Sequence, residues 1–182
     1  MSLLKLKLKR ERTGTTLINK LIFNKRNITL SDIVSNLIEL YVYKKVNDEP
    51  KYLLLKRADN VVFPNIWQMV SGTIENGEKA YETALRELQE ETGIKSDSLY
   101  KIPKVSAFYY IEKDTINLVP IFHVECNTDT IVLSEEHAEY GWFDFSEALE
   151  KLHWNTWKEN ITFINEILND KKRFNNLEEI NP

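Results

Sequence analysis

Three glutamates, Glu87, Glu90 and Glu91, lie close together in one segment of the chain. If that segment is helical, the spacings i, i+3 and i+4 place the three carboxylates on one face. Like charges at i and i+4 destabilise an isolated helix by about 0.2–0.5 kcal/mol per pair, whereas a hard divalent cation would reverse that sign. Mg²⁺ prefers oxygen ligands and combines a few carboxylates with water and substrate phosphates. The pattern therefore indicates either a metal site for a phosphate compound or a solvated acidic face.

A helix that would hold these glutamates is predicted from Lys79 to Thr92. Asn76 and Gly77 mark a loop before it, and Gly93 marks its end. An apolar stripe of helical period, about 100° round the helix from the acidic face, predicts a buried side. The stripe consists of Ala80, Ala84 and Leu88. One side of the helix is thus expected to pack while another presents its acids.

The stretch from Gly72 to Ile94 reads GTIENGEKAYETALRELQEETGI. It fills every fixed position of the pattern G-x5-E-x7-R-E-U-x-E-E-x-G-U, where U is a bulky aliphatic residue, and so the chain resembles the Nudix hydrolases. The resemblance implies an α/β fold, a three-layer α/β/α sandwich with a mixed β-sheet. It also implies that Glu87, Glu90 and Glu91 bind Mg²⁺ or Mn²⁺, together with the carbonyl of Gly72.

Further matches outside this stretch narrow the resemblance. Lys56, Arg57, Trp67, Gln68 and Glu136 stand in contexts similar to those of the bacterial dihydroneopterin triphosphate (dATP-type) pyrophosphohydrolases. The departures from this subgroup are the first thirty residues and the insertion Pro64-Asn65, which would reshape a base pocket. The match therefore indicates a substrate class and leaves the detail of ring binding open.

The resemblance implies a metal-assisted hydrolysis in which a carboxylate activates water. Glu136 matches the subgroup's additional acid, a metal ligand or general base, although it could instead be an exposed turn acid. Glu87 is the other candidate base. Arg86 can reach Glu82 or Glu90 at i±4 and could hold a ligand carboxylate in place. The candidate catalytic residues are therefore Glu87, Glu136 and Arg86.

Four residues are predicted to bind the substrate, each with an alternative. Lys56 and Arg57 lie at the end of a predicted strand, where they could bind phosphate or simply be solvated. The planar guanidinium of Arg57 suits phosphate oxygens better than an ammonium does. Trp67 could stack on a purine or pterin ring or belong to the core, and Gln68 is grouped with it. Trp157 is expected to seal the last helix.

The rest of the chain predicts a single catalytic domain. Residues 1–30 form an N-terminal extension (an arm or an edge strand), residues 31–170 the Nudix hydrolase domain, and residues 171–182 a polar tail that is expected to fray. Ser146 is expected to cap a short helix that ends at Leu152. The predicted strands span residues 36–44, 52–56, 66–71, 106–111, 116–125, 131–133 and 140–143, and the amphipathic closing helix spans residues 157–168.

Composition limits the location and the partners. The net charge of −4 gives no reason to expect nucleic acid as a partner, and no apolar run approaches the ~20 residues that span a membrane. The single cysteine, Cys126, fits a reducing compartment, so we expect a cytoplasmic protein. The expected partner is a small nucleoside or pterin polyphosphate, and the protein could form a homodimer.

Three functions remain open. The first is hydrolysis of a nucleotide-type triphosphate, of the dATP or dihydroneopterin triphosphate class, to monophosphate and pyrophosphate. The second is hydrolysis of another diphosphate-linked compound: ADP-ribose, a dinucleoside polyphosphate, an oxidised nucleotide or a prenyl diphosphate. The third is a nucleotide-binding module without catalysis, which loss of a carboxylate from the motif would favour.

Overall fold

A computed structural model describes residues 31–181, so the predicted N-terminal extension lies outside the described residues. The elements in chain order are β1 (Asp32–Val34), β2 (Leu37–Val46), β3 (Glu49–Arg57), β4 (Trp67–Gln68), β5 (Val70–Thr73), α1 (Ala80–Thr92), β6 (Leu99–Tyr110), a 3-10 turn (Ile111–Lys113), β7 (Thr115–Glu125), β8 (His137–Phe143), α2 (Phe145–Lys151), α3 (Asn155–Leu168), α4 (Lys171–Phe174) and β9 (Glu178–Ile180).

The described strands form one mixed sheet whose main path runs β4-β3-β2-β7-β6-β9. β2 pairs in parallel with β7 and antiparallel with both β3 and β5, and β8 pairs antiparallel with β3. In the pairing of β2 with β5, Ile38 lies opposite Gly72 and Glu39 lies opposite Ser71. The strand that leads into α1 is therefore fixed against the middle of the sheet.

Alternate residues of β2 and β3 pack on opposite faces of the sheet. One core contains Ile38, Leu40, Val42, Leu53 and Leu55 together with Ala84 and Leu88 of α1. The other contains Tyr41, Tyr43, Tyr52 and Leu54 together with Ala148 of α2 and Ile161, Ile164 and Ile167 of α3. The predicted α/β/α sandwich with a mixed sheet is confirmed.

The predicted helix Lys79–Thr92 agrees with α1 to within one residue. Lys79 lies at its N-cap, and the carboxylate of Glu82 accepts a hydrogen bond from the Lys79 backbone N–H at 2.8 Å. Gly93 ends the helix at φ 72°, a left-handed conformation that glycine adopts without steric penalty. Ala84 and Leu88 of the apolar stripe are buried, as its period predicts, and Ala80 packs against them partly buried.

Two local predictions are wrong. Residues 131–133 form no strand; the Val132 N–H donates to the Thr92 carbonyl at 2.9 Å, so this segment satisfies the end of α1 instead of joining the sheet. The cap of α2 is Asp144, whose carboxylate accepts from the Glu147 N–H at 2.9 Å. Ser146 lies inside the helix and donates to Asp144, because an aspartate two residues earlier already fills the N-cap position.

The expected fraying after Asp170 is also wrong for the residues up to 181. Asp170 caps α4 through the N–H groups of Lys172 and Arg173. β9 then pairs antiparallel with β6, with Ile180 opposite Leu99. The segment is polar in composition, but strand pairing uses backbone groups that composition does not reveal. None of the helices in the described part of the chain is long and apolar enough to cross a membrane.

Candidate active site

Arg86, in the middle of α1, is the centre of a carboxylate network. Its Nε donates to Glu78 Oε1 at 2.8 Å, and its Nη1 donates to Glu87 Oε1 at 2.8 Å. The same Nη1 donates to Glu90 Oε2 at 2.9 Å, and Nη2 donates to the Thr73 carbonyl at 3.1 Å. Of the two partners expected at i±4, the structure shows Glu90. The guanidinium joins the loop before the helix to the acidic face of the helix.

Glu78 anchors this network from the loop side. It accepts hydrogen bonds from Arg86, from the Thr83 hydroxyl at 2.7 Å and from the Glu75 backbone N–H at 3.1 Å. The hydrogen bonds from Arg86 favour the charged form most and lower the pKa of Glu78 to about 2. Glu78 is therefore ionised at neutral pH, and it fixes the orientation of Arg86.

Gly72 allows Glu87 to approach the sheet. A Cβ atom at position 72 would lie 2.1 Å from Glu87 Cδ, far inside van der Waals contact. The Glu87 carboxylate therefore occupies space that a side chain at residue 72 would fill. Burial of this half-buried group raises its pKa more than the hydrogen bond from Arg86 lowers it. Glycine at residue 72, the first position of the motif, is thus explained by the space that Glu87 needs.

Glu91 is the buried acid of α1. Only 5% of the surface of Glu91 is exposed, and its Oε2 has no hydrogen-bond partner among residues 31–181. Burial, and then the negative charge of Glu87, raises the pKa of Glu91 well above its ordinary value. His137 Nε2 lies 4.0 Å from Glu91 Oε1, but burial lowers the pKa of His137 to about 4, so the imidazole is neutral at pH 7. The positive charge of Arg57 lowers the pKa of Glu91, but burial raises it by more.

A cleft of about 570 Å³ is lined by Gly72, Arg86, Glu87 and Glu91. We call Gly72, Glu87, Glu91 and Glu136 its acidic part; Arg57 and Ser71 also line the cleft. The negative charge of Glu136 contributes to the raised pKa of both Glu87 and Glu91, which is consistent with their shared cleft. Glu90 does not line it. The structure thus brings together three of the four predicted carboxylate ligands.

Within residues 31–181, no group of three or more His, Cys, Asp or Glu side chains is close enough to hold a metal ion as it stands. The donor set nevertheless fits a hard divalent cation, because it consists of carboxylate oxygens. The unpaired buried Oε2 of Glu91 supports this fit, since a buried charged oxygen without a partner is strongly disfavoured. Glu87 is engaged with Arg86. The residues that would hold the ion are Glu87, Glu91 and Glu136.

The predicted substrate-binding residues are placed differently from one another. Arg57 lines the cleft, and its Nε donates to the Val62 carbonyl at 2.7 Å. Lys56 instead pairs with Glu139 at 2.7 Å. Lys56, Trp67 and Gln68 do not line the cleft. Trp67 packs edge-to-face on Phe143 with ring centroids 5.2 Å apart. Gln68 is buried, and its side-chain oxygen accepts a hydrogen bond from Arg57 at 3.4 Å.

Sequence reasoning missed a second portion of the cleft wall. We call Glu39, Phe108 and Trp157 its aromatic part. Trp157, which the sequence predicts mainly as the seal of the last helix, lies in the first turn of α3, packs against the core and also lines the cleft. One signal was present in the sequence, because Glu39 is an acid in the middle of the otherwise apolar strand sequence LIELYV. A buried acid in a central strand indicates a specific partner or ligand.

Comparison with known families finds a match to the NUDIX domain over residues 41–164. The asymmetrical bis(5′-nucleosyl)-tetraphosphatase of Rattus norvegicus is 30% identical over 129 residues, which cover 63% of this chain and 78% of that protein. The dihydroneopterin triphosphate diphosphatase of Haemophilus influenzae is 30% identical over 121 residues, which cover 60% of this chain and 73% of that protein.

Solved structures give the same fold. The structure of the E. coli dihydroneopterin triphosphate pyrophosphohydrolase superposes with a TM-score of 0.60 at 23% identity, and the match covers 71% of this chain and 94% of that one. A similarity at this level of identity establishes the architecture.

Proposed function

The chain belongs to the NUDIX domain family, and from this premise we propose that it hydrolyses triphosphates that carry a nucleoside or pterin group, releasing a monophosphate and pyrophosphate. The coarser statement, that it is a Nudix pyrophosphohydrolase of diphosphate-linked compounds, follows from the family match and its relatives. The finer choice of substrate is our proposal. It is supported by the match to the Haemophilus influenzae enzyme and by the chemistry of the cleft.

The observation that carries the proposal is the unpaired, buried carboxylate oxygen of Glu91. It lies in a cleft whose wall also includes Glu87 and Glu136. Three acids around one cleft would repel a polyphosphate unless a cation stood between them. A bound Mg²⁺ or Mn²⁺ supplies that charge and lowers the pKa of bound water. The acidity of this cleft is thus compatible with an anionic substrate only when the cation is present.

The chain's own residues would have distinct tasks. Arg57 and Arg86 both line the cleft, and Arg57 can donate N–H groups to phosphate oxygens. Arg86 fixes the Glu87 carboxylate through Nη1. Glu87 or Glu136 accepts the proton from the attacking water, and the phosphorus–oxygen bond between the α- and β-phosphates breaks with pyrophosphate as the leaving group. Neither base requires a covalent enzyme intermediate.

A substrate panel tests this proposal. We would assay dihydroneopterin triphosphate, dATP, diadenosine tetraphosphate and ADP-ribose with Mg²⁺, and identify the products by chromatography. The expected result is fastest turnover of a triphosphate, with monophosphate and pyrophosphate in equal amounts. EDTA should abolish turnover and excess Mg²⁺ or Mn²⁺ should restore it. Release of inorganic phosphate in place of pyrophosphate, or binding of triphosphates without turnover, would contradict the proposal.

A second candidate is hydrolysis of dinucleoside polyphosphates. Its support is the Rattus norvegicus relative, of whose length the match covers 78%. The same panel separates the two, because asymmetrical cleavage of diadenosine tetraphosphate yields a mononucleotide and a nucleoside triphosphate. A kcat/KM for this compound at least tenfold above that of every triphosphate would favour the second candidate. The homodimer and the cytoplasmic location stay predictions, which gel filtration and cell fractionation can test.

A further inference from the structure

Glu39 is a buried carboxylate held by four neutral side-chain donors, which belong to Tyr41, Ser106, Trp157 and Asn160. It lies on β2 with only 4% of its surface exposed. Its Oε2 accepts hydrogen bonds from the Asn160 amide at 2.9 Å, the Ser106 hydroxyl at 3.0 Å and the Tyr41 hydroxyl at 3.3 Å. These donors come from α3, β6 and β2. Burial raises the pKa of Glu39, and these hydrogen bonds oppose the rise by favouring the charged form.

The two carboxylate oxygens of Glu39 are used unequally by the protein. The hydrogen bonds from Tyr41, Ser106 and Asn160 all end on Oε2, and Glu39 contributes to the wall of the cleft. An ionised carboxylate can only accept hydrogen bonds, and a buried one is stable only when its lone pairs are used. Since Oε2 already has three donors, Oε1 is the atom with capacity for a ligand's N–H group.

The residues around Glu39 suit a flat ring. Phe108, which is 41% exposed, and Trp157 line the same cleft, and Met69 and Val119 add apolar surface. Stacking of a base on an aromatic side chain contributes about 1–3 kcal/mol in nucleic-acid complexes. A ring held between such side chains presents only its edge to a polar group. The polar group of this part of the cleft is the Glu39 carboxylate.

We propose that Glu39 selects the ring of the substrate, and that the preferred ring carries a ring N–H next to an exocyclic amino group, as guanine and pterin do. This inference rests on the proposed function and specifies the substrate class for the same cleft. Two adjacent N–H donors can converge on the two lone pairs of Oε1. The matching edge of adenine places an acceptor nitrogen beside its amino group, and that nitrogen would face the carboxylate unfavourably.

A purely structural role for Glu39 makes a different prediction. The same hydrogen bonds join β2 to β6 and α3, so the carboxylate could serve only to hold these elements together. In that case Glu39→Gln would lower stability and would weaken binding of every ligand to the same degree. Ring selection instead predicts a loss confined to ligands that bear the donor edge. The two roles therefore differ in the ratio between ligands.

The test is equilibrium binding of α,β-methylene triphosphates, which are not cleaved between these phosphates. We would titrate the full-length protein with the guanosine, inosine and adenosine analogues in Mg²⁺, and with tripolyphosphate as a ring-free probe. The wild-type protein should bind the guanosine analogue about tenfold more tightly than the other two, since each lacks one of the paired donors. In Glu39→Gln this preference should fall below about threefold, with tripolyphosphate binding unchanged.

Glu125→Gln is the matched control. Glu125 lies on β7 of the same sheet and accepts from the Tyr43 hydroxyl at 2.9 Å, but it does not line the cleft. It should leave the guanosine preference intact. Phe108→Ala removes an exposed side chain and should fold normally; it should weaken all three nucleotide analogues about tenfold without affecting tripolyphosphate. Thermal unfolding of each variant reports whether the fold survives.

Several outcomes would overturn the inference: equal binding of the guanosine and inosine analogues by the wild-type protein, an unchanged preference in Glu39→Gln, or parallel loss of tripolyphosphate binding in that variant. If Glu39→Gln does not fold, unaltered nucleotide binding by Phe108→Ala overturns the ring site. Failure of the proposed function looks different. The guanosine preference would then persist in binding, while the substrate panel showed no release of pyrophosphate from any triphosphate.

Discussion

The acidic and aromatic parts of the cleft hold their carboxylates in opposite ways. Around α1, one guanidinium contacts Glu78, Glu87 and Glu90, so charge is balanced by charge. Glu39 in the aromatic part is held by two hydroxyls, an amide and the Trp157 side chain, none of which carries a charge. The first arrangement pairs acids with one cation next to solvent. The second keeps one carboxylate rigid and leaves its negative charge to be met by a ligand.

The two parts nevertheless share one feature, because each contains a buried carboxylate on the cleft wall. Oε2 of Glu91 has no hydrogen-bond partner among residues 31–181, and the hydrogen bonds from Tyr41, Ser106 and Asn160 leave Oε1 of Glu39 unused. Both acids are about 95% shielded from solvent, with exposures of 5% and 4%. The difference between their neighbours suggests different ligands: a cation beside Glu91, where other acids gather, and a neutral N–H donor beside Glu39.

The largest effect is expected for Glu91→Gln. The amide removes a negative oxygen from the acidic part, so kcat/KM should fall about 10³-fold, more than the 10–100-fold typical of residues that only support a metal ligand. Thermal stability without metal should be equal or higher, because the variant no longer buries a charged group without a partner. Steady-state kinetics and thermal unfolding with and without Mg²⁺ measure both quantities.

Glu159→Gln, which changes an exposed acid of α3, is the control for Glu91→Gln and should leave kcat/KM unchanged. If Glu91→Gln retained near-normal activity, the assignment of this oxygen to a cation would be wrong. Lower stability of the metal-free variant would also count against it, since that result would mean that the protein itself satisfies the carboxylate.

The next effect tests the steric role of Gly72. In Gly72→Ala the new methyl group must displace Glu87, so kcat should fall about 10²-fold and the free energy of unfolding by about 1–3 kcal/mol. Gly77→Ala is the control, because a Cβ there meets no atom within 4 Å and only the backbone at φ 94° is strained. It should lower stability while leaving kcat nearly unchanged. If both variants lost kcat equally, the proposal that a side chain at residue 72 disturbs the site by displacing Glu87 would be wrong.

A smaller effect separates the two tryptophans. Trp157 lines the cleft and Trp67 packs on Phe143, so Trp157→Ala should raise KM about tenfold for ring-bearing substrates. Trp67→Ala should mainly lower the melting temperature, because it removes a packed aromatic pair. Steady-state kinetics and thermal unfolding of both variants measure these two effects. A raised KM in Trp67→Ala alone would restore the ring-stacking role that the sequence analysis considered for that residue.

The acidic part was accessible from the sequence because it is nearly contiguous. Gly72, Glu87 and Glu91 lie within one strand, loop and helix, and the period of α1 fixes which side chains share a face. The contact of Arg86 with Glu90 follows from the same period, whereas its contact with Glu78 spans eight residues across the helix start and was not predicted. Glu136 required the family resemblance, since nothing local connects it to α1.

The aromatic part could not be predicted, because its contacts join distant segments. Ser106 and Asn160 are 67 and 121 residues from Glu39, and only the packing of β6 and α3 on the sheet brings them together. An acid inside an apolar strand signals an unusual site but does not name its partners. The same limit explains β9: a polar segment pairs with the edge of the sheet through backbone groups, which every sequence possesses.

The smallest effect concerns pH and the charge balance of the acidic part. The folded pKa of Glu78 is about 2 against an ordinary 4.5, so its ionised form stabilises the folded state above pH 4.5. That contribution is lost as the pH falls from 4.5 to about 2, because the carboxylate then takes up a proton and releases Arg86. Glu78→Gln should therefore flatten the dependence of the melting temperature on pH in this window, and added salt should shrink the difference from wild type, since the pair is solvent-accessible. Glu112→Gln, in the exposed turn after β6, should reproduce the wild-type slope. If the melting temperatures of the wild type and Glu78→Gln depended on pH in the same way across this window, Glu87 and Glu90 would hold Arg86 without help from the loop. The contrast between acids paired with a guanidinium and an acid held by neutral donors would then be weaker than the distances indicate.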